Sequence, residues 1–334
     1  MIINYKKYLL SYLFAISTFF SPLEQAISSV PDVISGEINI TSGLIKKYSA
    51  AYPEIHFINL VGIAGYNELK TLPLQLGNNA SNVDYEHPPE VRQLLLDAQM
   101  ERIAQMIEID MPSSTLFMNG NNSLFRQGYT CVITVDEKEF MGDPMSSTRF
   151  MAGDAYDAQS QINILDNTSF LRFTLDHEIF HCLDAYLNGP PQRQTPSKLQ
   201  ASYYKNRAEQ RADLFAALAS MRYSKDASRF INQLTQYRTF SISDGDIAHY
   251  TAPVLKQALT LGDEFLLIKN VDEQVVYSMR LADNIVMSFE DYTRFLLSAV
   301  NIASTQGIDE VMSLPVVIEL LEDGYDHLII SEKE

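Results

Sequence analysis

Five consecutive residues, His177-Glu178-Ile179-Phe180-His181, carry side chains whose types and spacing fit one kind of chemistry. Residues four apart on an α-helix stack on one face, so His177 and His181 can present both imidazoles to a single ion. Glu178 sits beside them, within reach of a water on that ion. This is the helical HExxH arrangement, two zinc ligands and a carboxylate that takes a proton from the water. A catalytic zinc needs three protein ligands and one open position. A third donor must therefore come from another element.

The elements that would position these groups can be read from their surroundings. Residues 160 to 165 read as a short strand, and Asp166, Asn167 and Thr168 are N-cap candidates for a helix over about Ser169 to Leu187. Asn188-Gly189-Pro190-Pro191 ends it, with the glycine placed for a left-handed cap. Leu171, Leu175, Ile179, Leu183 and Leu187 recur on one face, and Phe173, His177 and His181 recur on the opposite one. A helix with an aliphatic back and a histidine front lies between a core and a site. Downstream, Arg207 to Ser220 is an alanine-rich helical run. Glu209 and Asp213 share a face, with Ala212, Ala216 and Ser220 on or beside it, small enough for a close helix approach. Glu209 is the candidate third ligand. Asp213, one turn on, can accept the second N–H of a ligand imidazole and fix its tautomer.

His177, Glu178, His181, Glu209 and Asp213 together resemble the pattern of the gluzincin class of zinc metallopeptidases, in its Glu-x-x-Ala-Asp version. The resemblance covers about residues 160 to 222. It implies one Zn2+ held by His177, His181 and Glu209, with Glu178 as general base, Asp213 behind a ligand, and a peptide or protein substrate. It also implies a zincin-like core in which strand 160 to 165 or its neighbour pairs with an extended substrate. The metzincin pattern does not fit, because Asp184 and Leu187 stand where it needs glycine and a third ligand. Asp184, on the histidine face, is read as an N–H acceptor or a solvated carboxylate, with a ligand of an aspartate-type site as the alternative. Zinc peptidases of the resembled class often take an oxyanion donor, His or Tyr, from a segment after the third ligand. His249 is the candidate, at the start of an expected helix, with Tyr250, Tyr203 and Tyr204 behind it. A capping or core histidine is the competing reading of His249. His56, His87 and His327 have no partner pattern.

Compartment and class follow from the remaining sequence. Lys6 and Lys7 precede an apolar run from Tyr8 to Phe20, Ser21-Pro22 breaks it, and Ala26-Ile27-Ser28 supplies small residues for cleavage. This is the layout of a secretory signal peptide over residues 1–28, and no cysteine follows it to carry a lipid. The expected location is secreted or periplasmic, without a stable membrane anchor. Removing the segment takes away Lys6, Lys7 and Glu24 and leaves 23 basic against 41 acidic residues, from 25 and 42 in the whole chain. So acidic a protein is a poor partner for nucleic acid or anionic membrane. The two cysteines, Cys131 and Cys182, either pair in an oxidising compartment or stay as buried thiols.

The expected fold is α+β. A mixed part over 29–166 carries strands at Glu54 to Gly62 and Tyr129 to Val135 and a helix over about Pro89 to Ile109. A helical catalytic part over 167–334 includes helices at Ser288 to Ala303 and Ile308 to Leu321. The function implied by the resemblance is an exported zinc metallopeptidase. Two other readings stay open: a zinc-binding pseudo-peptidase that holds peptides uncut, and a zinc hydrolase of non-peptide or cell-wall amides. For the latter, the expected loop from Asn188 to Lys205 and the N-terminal part would shape the site.

Overall fold

The computed structural model describes residues 39–61, 101, 103–104, 115–119, 129–152, 164–189, 197–241 and 245–322. The expected leader, residues 160–163 of the expected strand and most of the expected helix over 89–109 lie outside them. The described residues are mostly helical with one small three-stranded mixed sheet, an α+β arrangement. They fall into two compact units, Met1–Gly142 with Glu178–Pro191, and Asp143–His177 with Gln192–Glu334.

The first unit contains α1 (Ile40–Ala51), β1 (Ile55–Asn59), β2 (Thr115–Asn119), β3 (Tyr129–Ile133) and α2 (Glu137–Gly142). The strand order is β1-β3-β2, with β1 parallel to β3 from Ile55↔Tyr129 to Asn59↔Ile133 and β2 antiparallel to it from Thr115↔Ile133 to Asn119↔Tyr129. Central β3 is buried from Thr130 to Ile133, so it lacks the in-out alternation of a half-exposed strand. Both expected strands are present and shorter than their apolar runs. The free N–H groups at the start of α1 are met by the Glu137 carboxylate, which accepts from Ile40 N at 3.2 Å and Thr41 N at 3.1 Å.

The second unit begins with α3 (Ser146–Ala152) and then α4 (Asn167–Asn188), whose second half belongs to the first unit. Ile164 and Leu165 are irregular chain rather than strand. Asp166 caps α4, its Oδ2 accepting from Ser169 N at 2.7 Å, and Gly189 ends it with φ 70°. Next comes α5 (Lys198–Tyr223), which starts well before the expected Arg207. The reason is a capping box: Ser197 Oγ accepts from Gln200 N, and the Gln200 side chain accepts from Ser197 N. Half of the expected 188–205 loop is thus helix. Every residue of α5 from Glu209 to Ser220 is buried, as befits a helix packed on all sides.

Around it follow α6 (Ala227–Phe240), a 3-10 turn (Ile247–His249), α7 (Ala252–Leu267), α8 (Val271–Ile285), α9 (Phe289–Gln306), α10 (Asp309–Met312) and α11 (Pro315–Glu322). The single helix expected over 308 to 321 is two, because Pro315 lacks the N–H that would continue α10 and instead opens α11. His249 closes the 3-10 turn rather than opening a helix, and α7 begins at Ala252 with Pro253 in its first turn.

Three contacts tie the second half of α4 to the sheet of the first unit. Cys182 is disulfide-bonded to Cys131 in β3. Tyr186 bonds Glu54 and sets its ring edge-on to Tyr129, centroids 4.8 Å apart. Thr115 at the head of β2 bonds Glu178. The disulfide spans 51 residues of chain, and closing a loop of that length stabilises by about 4 kcal/mol in the chain-entropy model. We expect no free thiol on unfolding without reductant, and a Cys131→Ser/Cys182→Ser variant with a clearly lower urea midpoint. Two titratable thiols in the unfolded protein would contradict the pairing.

Candidate metal centre

The site is built on two helices. On α4, Leu171, Leu175, Ile179 and Leu183 are fully buried on the aliphatic face, which leaves His177 and His181 on the other. On α5, Glu209 and Asp213 stand one turn apart. The two helices bring His177 Nε2 to 3.1 Å from Glu209 Oε2 and His177 Nδ1 to 2.7 Å from Asp213 Oδ1. One donor atom from each of His177, His181 and Glu209 lies within 4.8 Å of the other two. These three could hold a metal ion.

The chemistry of the donor set fits zinc: two imidazoles and one carboxylate, with room in the coordination number for one further ligand. The orientation of His177 fits as well. Asp213 is acceptor-only, so Nδ1 carries a proton toward it, and Nε2 is the nitrogen whose lone pair a metal would take in place of the second proton. Asp213 is itself held on all sides. It accepts from Arg238 Nε at 2.9 Å and Nη2 at 3.1 Å, and from the Thr251 hydroxyl. Its side chain is fully buried, where an unpaired carboxylate would be costly.

The electrostatics show what this arrangement favours. Burial opposes a charge on His177, but Asp213 and Glu209 outweigh it and push the imidazole up to about 10. Burial likewise raises Asp213, yet Arg238 and His177 hold it well below the usual carboxylate range. Arg238 is pushed up against its own burial by Asp213 and Glu209. The pocket of charge is short of cations, and without an ion a proton fills the deficit on His177. A ligand imidazole must be neutral, so metal and proton compete for the same place.

Glu178 is 7% exposed, and its Oε2 accepts from Thr115 Oγ1 at 2.7 Å. The same hydroxyl lies 3.1 Å from the Glu178 backbone carbonyl. One hydroxyl at the head of β2 thus fixes both the side chain and the turn of helix that bears it. His249 stands beside the ligand set, Nε2 3.4 Å from Glu209 Oε2 and Nδ1 2.6 Å from Asp246 Oδ2. Burial lowers its pKa, but Asp246 and Glu209 prevail and raise it to about 9.

The other named residues lie elsewhere. Tyr203 is buried in the apolar cluster with Leu296 and Val317, its ring 5.3 Å from that of Phe289, and acts there as a packing residue. Its neighbour Tyr204 is half exposed, with its ring tilted against that of Tyr203. Tyr250 stacks on Phe295 at 4.3 Å, next to His249 in the chain. Asp184 accepts from Asn188 Nδ2 at the end of α4. Cys182 is committed to its disulfide, although it adjoins His181. His56 lies in β1, and His87 and His327 fall outside the described residues.

Four residues of the site carry no signal that the HExxH pattern alone supplies: Thr115, Arg238, Thr251 and Asp246. The first three reach Glu178 or Asp213 across 63, 25 and 38 residues, beyond any local spacing rule. Asp246 is three residues before His249, a spacing at which a carboxylate can orient a ring. Compared with protein-family models, curated proteins and solved structures, the chain finds no match in any of the three.

Arg238→Met removes the partner of a buried carboxylate, a change that costs about 3–5 kcal/mol. Asp213 then loses the two bonds that fix its position against His177, and metal affinity should fall by about 10–100-fold. Competition against a chromophoric chelator reads this directly, and an unchanged affinity would remove Arg238 from the site.

Proposed function

We propose that the protein is a zinc metallopeptidase with a gluzincin-type site. The observation that carries this reading is the approach of one donor atom from each of His177, His181 and Glu209 to within 4.8 Å of the others, with Glu178, next to His177 in the chain, bonded to Thr115. His177, His181 and Glu209 would hold the ion. Bound there, zinc supplies a Lewis acid and brings the pKa of a water toward neutrality.

The chain's own groups divide the remaining work. Asp213, fixed by Arg238 and Thr251, keeps the His177 ring in the tautomer with Nε2 free. Glu178 has Oε2 tied to Thr115, so its Oε1 is the atom that takes a proton from the attacking water. The same carboxylate returns the proton to the leaving amine. Asp246 orients His249 so that Nε2–H can donate to the carbonyl oxygen as negative charge develops on it.

A peptide fits the architecture around Glu178. Thr115 opens β2, and among the described residues β2 has a strand partner on one side only. An extended peptide pairing along that edge would run past Glu178. The strand expected at 160 to 165 for this role falls mostly outside the described residues, and β2 takes its place in the proposal. The Cys131–Cys182 disulfide supports an oxidising compartment, in keeping with export through the 1–28 leader. No helix among the described residues is long and apolar enough to cross a membrane.

The test is cleavage of a diverse peptide mixture by the zinc-loaded protein, with sites read by mass spectrometry. Glu178→Gln should lose at least about 10²-fold in rate while keeping a full equivalent of zinc. His177→Ala should lose the zinc itself. Thr115→Val should keep the metal and lower turnover. A zinc-bound wild type that cuts nothing, or a Glu178→Gln variant as active as wild type, would contradict the assignment.

A further inference from the structure

His249 lies on a turn too short to hold itself. The 3-10 segment Ile247–His249 is three residues long, and its own closing bond is Tyr250 N to Ile247 O at 3.2 Å. Carbonyls in buried or half-buried surroundings need partners. One side chain meets two carbonyls of the segment and that of Tyr250 just after it. Asn206 Nδ2 donates toward Ile247 O at 3.1 Å, Ala248 O at 2.9 Å and Tyr250 O at 3.2 Å. The amide has two hydrogens for three acceptors, so at least one is shared.

Asn206 is fully buried on α5, three residues before Glu209 and on the same side of the helix. Its amide cannot be reversed, because Gln210 Nε2 donates to Asn206 Oδ1 and thereby points Nδ2 at the turn. Gln210 is held in turn by Met287 N, which donates to its Oε1 at 3.3 Å. Helix α5 therefore carries both the carboxylate of Glu209 and the clamp on the turn that bears His249. The 3.4 Å gap between Glu209 Oε2 and His249 Nε2 is set by that one rigid element.

We infer that Asn206 is a positioning residue whose role is to hold His249 in register with Glu209, with Gln210 fixing the amide's orientation. The inference rests on the metallopeptidase reading for its catalytic consequence, but not for its structural content. Asp246 aims the ring, and Asn206 places the backbone from which the ring projects. Displacing a catalytic group by about 1 Å can cost on the order of 10²-fold in rate.

The experiment uses the zinc-loaded full chain and two readouts. The first is the imidazole 1H–13C spectrum, with His249 assigned by its loss in His249→Ala. In Asn206→Ala the His249 signal should shift or broaden, while the His177 and His181 signals and the zinc content stay as in wild type. The second is peptide cleavage. Asn206→Ala should lower kcat by about 10–100-fold with little change in KM, and adding it to His249→Ala should cost nothing further. Asn206→Ser keeps one donor and should fall between, which covers failure of the alanine variant to fold. An unmoved His249 signal, or losses that add in the double variant, would overturn the inference. If wild type cuts no peptide, the functional reading fails separately and the spectrum alone decides what Asn206 does.

Discussion

Burial of two carboxylates against one imidazole is the constraint on which the site depends. Glu209 and Asp213 meet opposite nitrogens of His177 in a region with little solvent to screen them. Buried charges persist only when paired and hydrogen-bonded, and the surrounding chain supplies the pairs. Arg238 from α6 and Thr251 from the start of α7 converge on Asp213, and His249 approaches Glu209. Positions of three separate segments thus follow from the need to satisfy two acids on one helix. That requirement explains why α5 keeps Asn206, Glu209, Gln210 and Asp213 as buried polar residues beside the alanines and leucines of its fully buried stretch from Glu209 to Ser220.

The same constraint gives the group its chemical bias. The net field at His177 attracts positive charge strongly enough to overcome the cost of burial. A metal ion held by His177, His181 and Glu209 would meet that field in place of a proton. Glu178 is treated differently. It is held by a neutral hydroxyl, that of Thr115 at the head of β2. A charged network thus surrounds His177, and an uncharged tether holds its chain neighbour Glu178.

Parts of this could be read from the sequence because they obey short periods. The four-residue recurrence of His177 and His181, the same recurrence of Glu209 and Asp213, and the Gly189 stop all follow from one turn of helix, and the helices stand where those patterns place them. The α+β division was readable from the change from short strand-like runs to long helical ones at about residue 167. The start of α5 was missed although Ser197 and Gln200 form a recognisable cap. Thr115, Arg238 and Asn206 were beyond reach, because their partners are fixed by packing between distant segments. His249 is the intermediate case. It lies 3.4 Å from Glu209, and the turn that delivers it is held by Asn206 through bonds 41 to 44 residues apart in the chain, which no local rule supplies.

The central claim is that one ion binds His177, His181 and Glu209 together, and anomalous diffraction at the zinc edge from crystals grown with zinc tests it most directly. The account predicts a single strong peak about 2 Å from an imidazole nitrogen of each histidine and from a Glu209 oxygen, with Asp213 still on His177. Zinc bound elsewhere, or a peak on the histidines that leaves Glu209 out, would contradict it.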